Sequence, residues 1–122
     1  MERVTFITTE TGDDLMLCFA VQHPDDPTEI ESLKFTRTPE TEFIFEEEER
    51  GVKVSFERDE DEDQCDTLEK FDYAKSAGLV RIKTNFVEYE LDVSKVDPDE
   101  LKDMLKVLKK MNFDQKFQMS GV

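Results

Sequence analysis

Two cysteines and one histidine are the only side chains in this 122-residue sequence able to serve as a thiolate nucleophile, an imidazole base or a thiolate or imidazole ligand to zinc. Cys18 lies inside Leu15-Met16-Leu17-Cys18-Phe19-Ala20-Val21 and reads as a small, inert core residue. Cys65 is surrounded by Asp61, Glu62, Asp63 and Asp66, whose charges favour the neutral thiol and make it a poor nucleophile. His23 stands five residues after Cys18 and directly before Pro24, so it reads as a solvent-facing loop residue rather than the base of a Cys–His pair. The three groups lack the paired spacing of a zinc site. A Cys18–Cys65 disulfide stays open as an option, although a chain of this length can build a core without one.

The carboxylates are far more numerous. Asp59, Asp61 and Asp63 imitate the start of an EF-hand calcium loop, but the sixth position, where glycine makes the sharp turn, is Gln64. The twelfth, where a bidentate glutamate closes the site, is Lys70. The pattern therefore fails, leaving at most weak association with a divalent cation. The four glycines have no phosphate-binding spacing, and no pair of acids is set apart by apolar neighbours as catalytic carboxylates require. The expectation is a protein without catalytic residues, cofactor or resident metal; an enzymatic role carried by residues without a sequence signature is the alternative.

The charge map is more specific. The net charge of −15 is concentrated: residues 1–39 carry 8 acids and 3 bases, residues 40–69 carry 14 and 3, and residues 70–122 carry 9 and 10. Such a field disfavours direct contact with nucleic acid or with an anionic membrane surface. Leu, Ile, Val and Phe supply 33 of the 122 residues, enough apolar content for a highly charged chain to fold. No window resembles a membrane span or a signal peptide, which points to a single cytoplasmic domain over residues 1–122.

Elements able to position those charges follow from periodicity. Val96-Asp97-Pro98-Asp99-Glu100-Leu101 is a helix start. Asp97 is the N-cap, Pro98 suits the first helical position, Glu100 can reach back to the Asp97 N–H, and Val96 and Leu101 form a staple. Leu101, Met104, Leu105, Leu108 and Met111 continue as one apolar stripe, with Lys102, Asp103, Lys106, Lys109 and Lys110 elsewhere and Asn112 as C-cap. Val4 to Thr9 alternates as a strand, with Val4 and Phe6 on one face. After the turn at Thr11-Gly12-Asp13-Asp14, Leu15 to Val21 is apolar throughout, as in a central strand buried on both faces, and Ile30 to Arg37 is a weaker strand. Phe43 and Phe45, then Val52, Val54 and Phe56, suggest a hairpin turning at Arg50-Gly51. Asp66 to Ala77 is ambiguous: Leu68, Phe71 and Ala74 recur at helical spacing, while Phe71 and Tyr73 alternate as in a strand. Leu79 onward alternates clearly, with a change of phase at Thr84-Asn85-Phe86 that requires a turn or bulge. The expected fold is α+β: a meander-like antiparallel sheet of five to seven strands with a C-terminal amphipathic helix on one face, either open or closed as a helix-capped barrel.

On that scaffold Glu46, Glu48 and Glu57, continued by Asp59, Glu60, Asp61, Glu62 and Asp63, form an anionic strip suited to a basic protein surface. Occupation of another protein's nucleic-acid groove by mimicry, or neutralisation of a basic toxin, would be specific versions. The bland alternative is that the acidity serves solubility alone. Phe113, Phe117 and Met119 lie in a tail that can pack back or pair with a second copy, giving a homodimer as a further partner option.

Overall fold

A computed structural model of the chain describes residues 2–26, 28–44, 50–57 and 66–121, with Thr41 and Phe43 described by their backbone alone. Among the described residues there are eight strands and one α-helix: β1 Glu2–Thr11, β2 Leu15–Gln22, β3 Ile30–Arg37, β4 Lys53–Phe56, β5 Asp66–Ala74, β6 Leu79–Thr84, β7 Glu88–Asp92, α1 Pro98–Met111 and β8 Gln118–Ser120. The fold is α+β, as the periodicities predict. The strands form one sheet in the order β4-β3-β2-β1-β7-β6-β5-β8, and an added β4–β5 pairing curls it into a ring that is not an even barrel. Most pairings are antiparallel. Two are parallel, β1 with β7 and β5 with β8, and neither is visible to hairpin-based reasoning because the partners are far apart in sequence.

Inside the ring Phe19, Phe35 and Phe71 meet edge to face at 5.6 and 6.3 Å, and Phe56 of β4 meets Tyr89 of β7 at 5.7 Å. β3 and β5 are not adjacent, nor are β4 and β7, so these contacts cross the interior and show that the inner faces share one core. α1 packs against β1 and β2 and buries Met104, Val107, Leu108 and Met111; Leu101 and Leu105 border the stripe, and Val107 lies inside it. Asp97 caps the helix as expected, accepting the Asp99 N–H at 2.8 Å, and Asn112 ends it. Glu100 does not complete a capping box. Its Oε1 accepts the Ile7 N–H at 2.6 Å instead. β1 is bonded to β7 only through Glu2 and Arg3, so further along the strand the Ile7 amide meets no neighbouring strand, and the carboxylate takes that position.

Pairing and register correct the expectations for β1, the 43–56 hairpin and β2, and decide the segment 66–77 that periodicity leaves open. In β1 one extra residue sits between Val4, opposite Val21, and Phe6, opposite Ala20. The bulge brings Val4 and Ile7 inward and leaves Phe6 exposed, the reverse of simple alternation. In β5 an extra residue between Leu68, opposite Thr84, and Lys70, opposite Lys83, sets Leu68, Phe71 and Tyr73 all inward. The three-residue step that resembles a helix is a bulged strand, and the helical turn is confined to a 3-10 segment Lys75–Ala77 ended by Gly78 at φ +62°. Among the described residues the 43–56 hairpin is not formed. Pro39–Ile44 is 3-10 helix, and β4 has β3 on one side and β5 on the other, so both its edges are occupied. β2 is central, yet Cys18 and Met16 are only half-buried because they belong to its outer face. The phase change after β6 is a tight turn, closed by the Thr84 hydroxyl accepting the Phe86 and Val87 amides.

Candidate protein-interaction surface

Of the acidic strip, Glu57 alone lies among the described residues; Glu46, Glu48, Asp59, Glu60, Asp61, Glu62 and Asp63 lie outside them. Glu57 extends the β3–β4 ladder. Its N–H donates to the Ser32 carbonyl at 2.9 Å, and its Oε2 accepts the Ser32 N–H at 2.8 Å, so the exposed carboxylate is fixed against its own sheet. Residues 45–49 precede β4 and residues 58–65 follow it, so the two acidic segments are attached at opposite ends of a strand whose core is four residues long. From Arg50 to Glu57 the attachment points are at most about 23 Å apart at the extended rise per residue.

Both attachments are held by polar contacts. The Glu42 Oε1 accepts the Gly51 N–H at 3.0 Å, and the Arg50 Nε donates to the Glu42 carbonyl at 3.0 Å, which closes the segment between them. Glu42 itself is held by Arg37. The Arg37 side chain is fully buried, donates to Glu42 through Nε and Nη2 at 2.9 and 3.0 Å, and to the Asp114 Oδ2 at 2.7 Å. Its Nη1 donates to the Met111 carbonyl at 2.6 Å, satisfying an acceptor left open at the end of α1, and the guanidinium lies 4.2 Å from the Phe113 ring. Burial alone would lower the Arg37 pKa, but the hydrogen bonds to Asp114 and Glu42 outweigh it and the net direction is up. The same contact holds the Asp114 carboxyl below the ordinary carboxylate range against the opposing effect of burial. Sequence reasoning passed over this cluster. The signal was present: Arg37 continues the inward phase of Leu33 and Phe35, and an arginine in a core phase must bring its own acceptors.

Other candidate residues are dispersed. His23 accepts the Asp25 N–H through Nδ1 and stands 3.9 Å from Glu31 on the loop between β2 and β3. Lys70, the failed twelfth EF-hand position, is in β5 and pairs with Asp72 at 3.6 Å. Among the described residues no three His, Cys, Asp or Glu side chains converge on a metal-sized space. Phe113 is 56% exposed, whereas Phe117 is buried in the chain's own core and Met119 is half-buried against it, so the three do not share a surface. No helix among the described residues is long and apolar enough to cross a membrane. Comparison of the chain with protein-family models, with curated proteins and with solved structures finds no match.

Proposed function

We propose that this is a non-catalytic interaction module whose acidic segments, carried at the two ends of β4, bind a basic protein surface. The carrying observation is the charge distribution: residues 40–69 hold 14 acids against 3 bases, while the following 53 residues are close to neutral. Solubility would be served equally well by charge spread over the whole surface; concentration beside a strand held on both edges favours recognition. Anchored ends lower the ordering entropy that an acidic segment must lose on binding. A local anionic field of this density also accelerates encounter with a cationic partner at low salt. Mimicry of a nucleic-acid backbone and inhibition of a basic toxin are the two specific forms of this activity that the charge suits.

The test is a five-site variant, Glu46→Gln, Glu48→Gln, Asp59→Asn, Asp61→Asn and Asp63→Asn, used beside the native chain to capture proteins from lysate, with elution by rising salt. The expected result is a basic protein that the native chain retains, that salt releases and that the variant misses, with thermal stability unchanged or higher in the variant. Identical partners on both baits would return the acidity to a solubility role.

A further inference from the structure

We propose that the groove between the C-terminal end of α1 and β8 is a docking site for an extended acidic segment of another protein, which adds as a strand beside β8 under the lysines of α1. The groove has a volume of ≈ 670 Å³ and is lined by Lys109, Asn112, Gln115, Phe117, Gln118 and Met119. That size suits a short peptide. β8 stands at the end of the strand order with β5 as its hydrogen-bonded neighbour among the described residues. An edge of this kind offers main-chain donors and acceptors to an incoming strand.

Charge identifies the occupant. Lys102, Lys106, Lys109 and Lys110 are all exposed on α1. Lys102, Lys106 and Lys109 follow one another at steps of four and three, so they form a row about 10 Å long at the helical rise. Like charges at those steps weaken a helix. The helix dipole offsets this for Lys109 and Lys110 in the last turn, but not for Lys102 and Lys106. Asp99 and Asp103 stand three residues before Lys102 and Lys106, yet among the described residues none of the four lysines closes an ion pair. On a chain of net charge −15, a row of uncompensated cations that reaches the groove at Lys109 is a local exception. It acts over the first few ångströms, because the opposing field of the rest of the molecule is screened beyond about 8 Å at physiological salt. A second copy of this chain is a poorer occupant, since both partners carry the same large net charge.

The experiment is an NMR titration of the isotope-labelled chain with a blocked six-residue peptide alternating valine and glutamate, at low and at physiological salt. The expected result is saturable shifts at the amides from Lys109 to Ser120, slowed hydrogen exchange in β8, and affinity that falls as salt rises. Lys109→Gln with Lys110→Gln should weaken binding about tenfold, while Lys75→Gln with Lys95→Gln, which changes net charge equally, should leave it unaltered. Absence of shifts at millimolar peptide, equal binding of a peptide with lysine in place of glutamate, or equal weakening by both variant pairs would overturn the assignment. So would shifts at the same amides that grow with protein concentration alone, since the occupant would then be a second copy. The five-site amide variant should bind this peptide as well as the native chain does, which separates the groove from the acidic segments.

Discussion

Replacing Arg37 with methionine would leave the Glu42 and Asp114 carboxylates without their shared cation and the Met111 carbonyl without its donor. Removing one partner from a buried ion pair typically costs about 3–5 kcal/mol, and chemical denaturation of Arg37→Met should show a loss of that order. Asp114→Asn should cost less, because Glu42 still faces the guanidinium. The pH dependence has a definite sign. Asp114 titrates lower in the folded chain than in the unfolded one, because it accepts hydrogen bonds from Arg37. Its contribution is therefore complete above the unfolded carboxylate value near about 4 and is lost as pH falls through the depressed value. Melting temperatures of Asp114→Asn should fall less steeply than those of the native chain below about pH 4; equal slopes would remove Asp114 from the account. Glu100 teaches a related lesson. Its position three residues after the N-cap matches the local capping pattern, but an unpaired amide on β1, 93 positions away in sequence, competes for the same carboxylate and wins.

Bulges decide what was legible at the level of elements. Helix α1, the turns at residues 11–14 and 84–87, and strands β1, β2, β3, β6 and β7 follow from periodicity and local caps, so they can be read from short windows. Leu68 and Phe71 mislead because an inserted residue gives a strand the three-residue step of a helix. The 43–56 hairpin misleads because the edges of β4 are filled by strands that local patterning does not connect to it. The acidic segments were legible as charge, but their attachment at opposite ends of β4 depends on those same long-range pairings. Register turns this into a prediction. Deleting Glu69 removes the extra residue but keeps Leu68, Phe71 and Tyr73 in one phase, so the variant should still unfold cooperatively, at a lowered temperature. Deleting Asp72 brings Tyr73 next to Phe71 and forces one of them outward, and this variant should lose its cooperative transition. Indistinguishable melting of the two deletions would mean that the bulge does not set the phase of β5.

Across the whole molecule, self-repulsion and closure oppose each other. With 31 acids against 16 bases, raising salt should screen more repulsion than attraction. Thermal denaturation should therefore shift upward between about 10 and 200 mM sodium chloride; a downward shift would show that ion pairs such as Arg37–Glu42 and Arg81–Glu90 dominate the balance. The closure itself is made late in the chain. Glu100 seals the β1 edge, Asp114 and the end of α1 complete the Arg37 cluster, and Phe117 fills the core before β8 joins β5. During synthesis from the N-terminus, a chain that has emerged only as far as Val93 already contains the seven larger strands, but it still shows the unpaired Ile7 amide and a buried arginine that lacks two of its three acceptor groups, the Met111 carbonyl and Asp114. Such a nascent chain is an open edge waiting for the 29 residues from Ser94 to Val122. Ribosome-bound chains arrested before α1 should be cut readily by protease, and release of the final segment should confer resistance in one step.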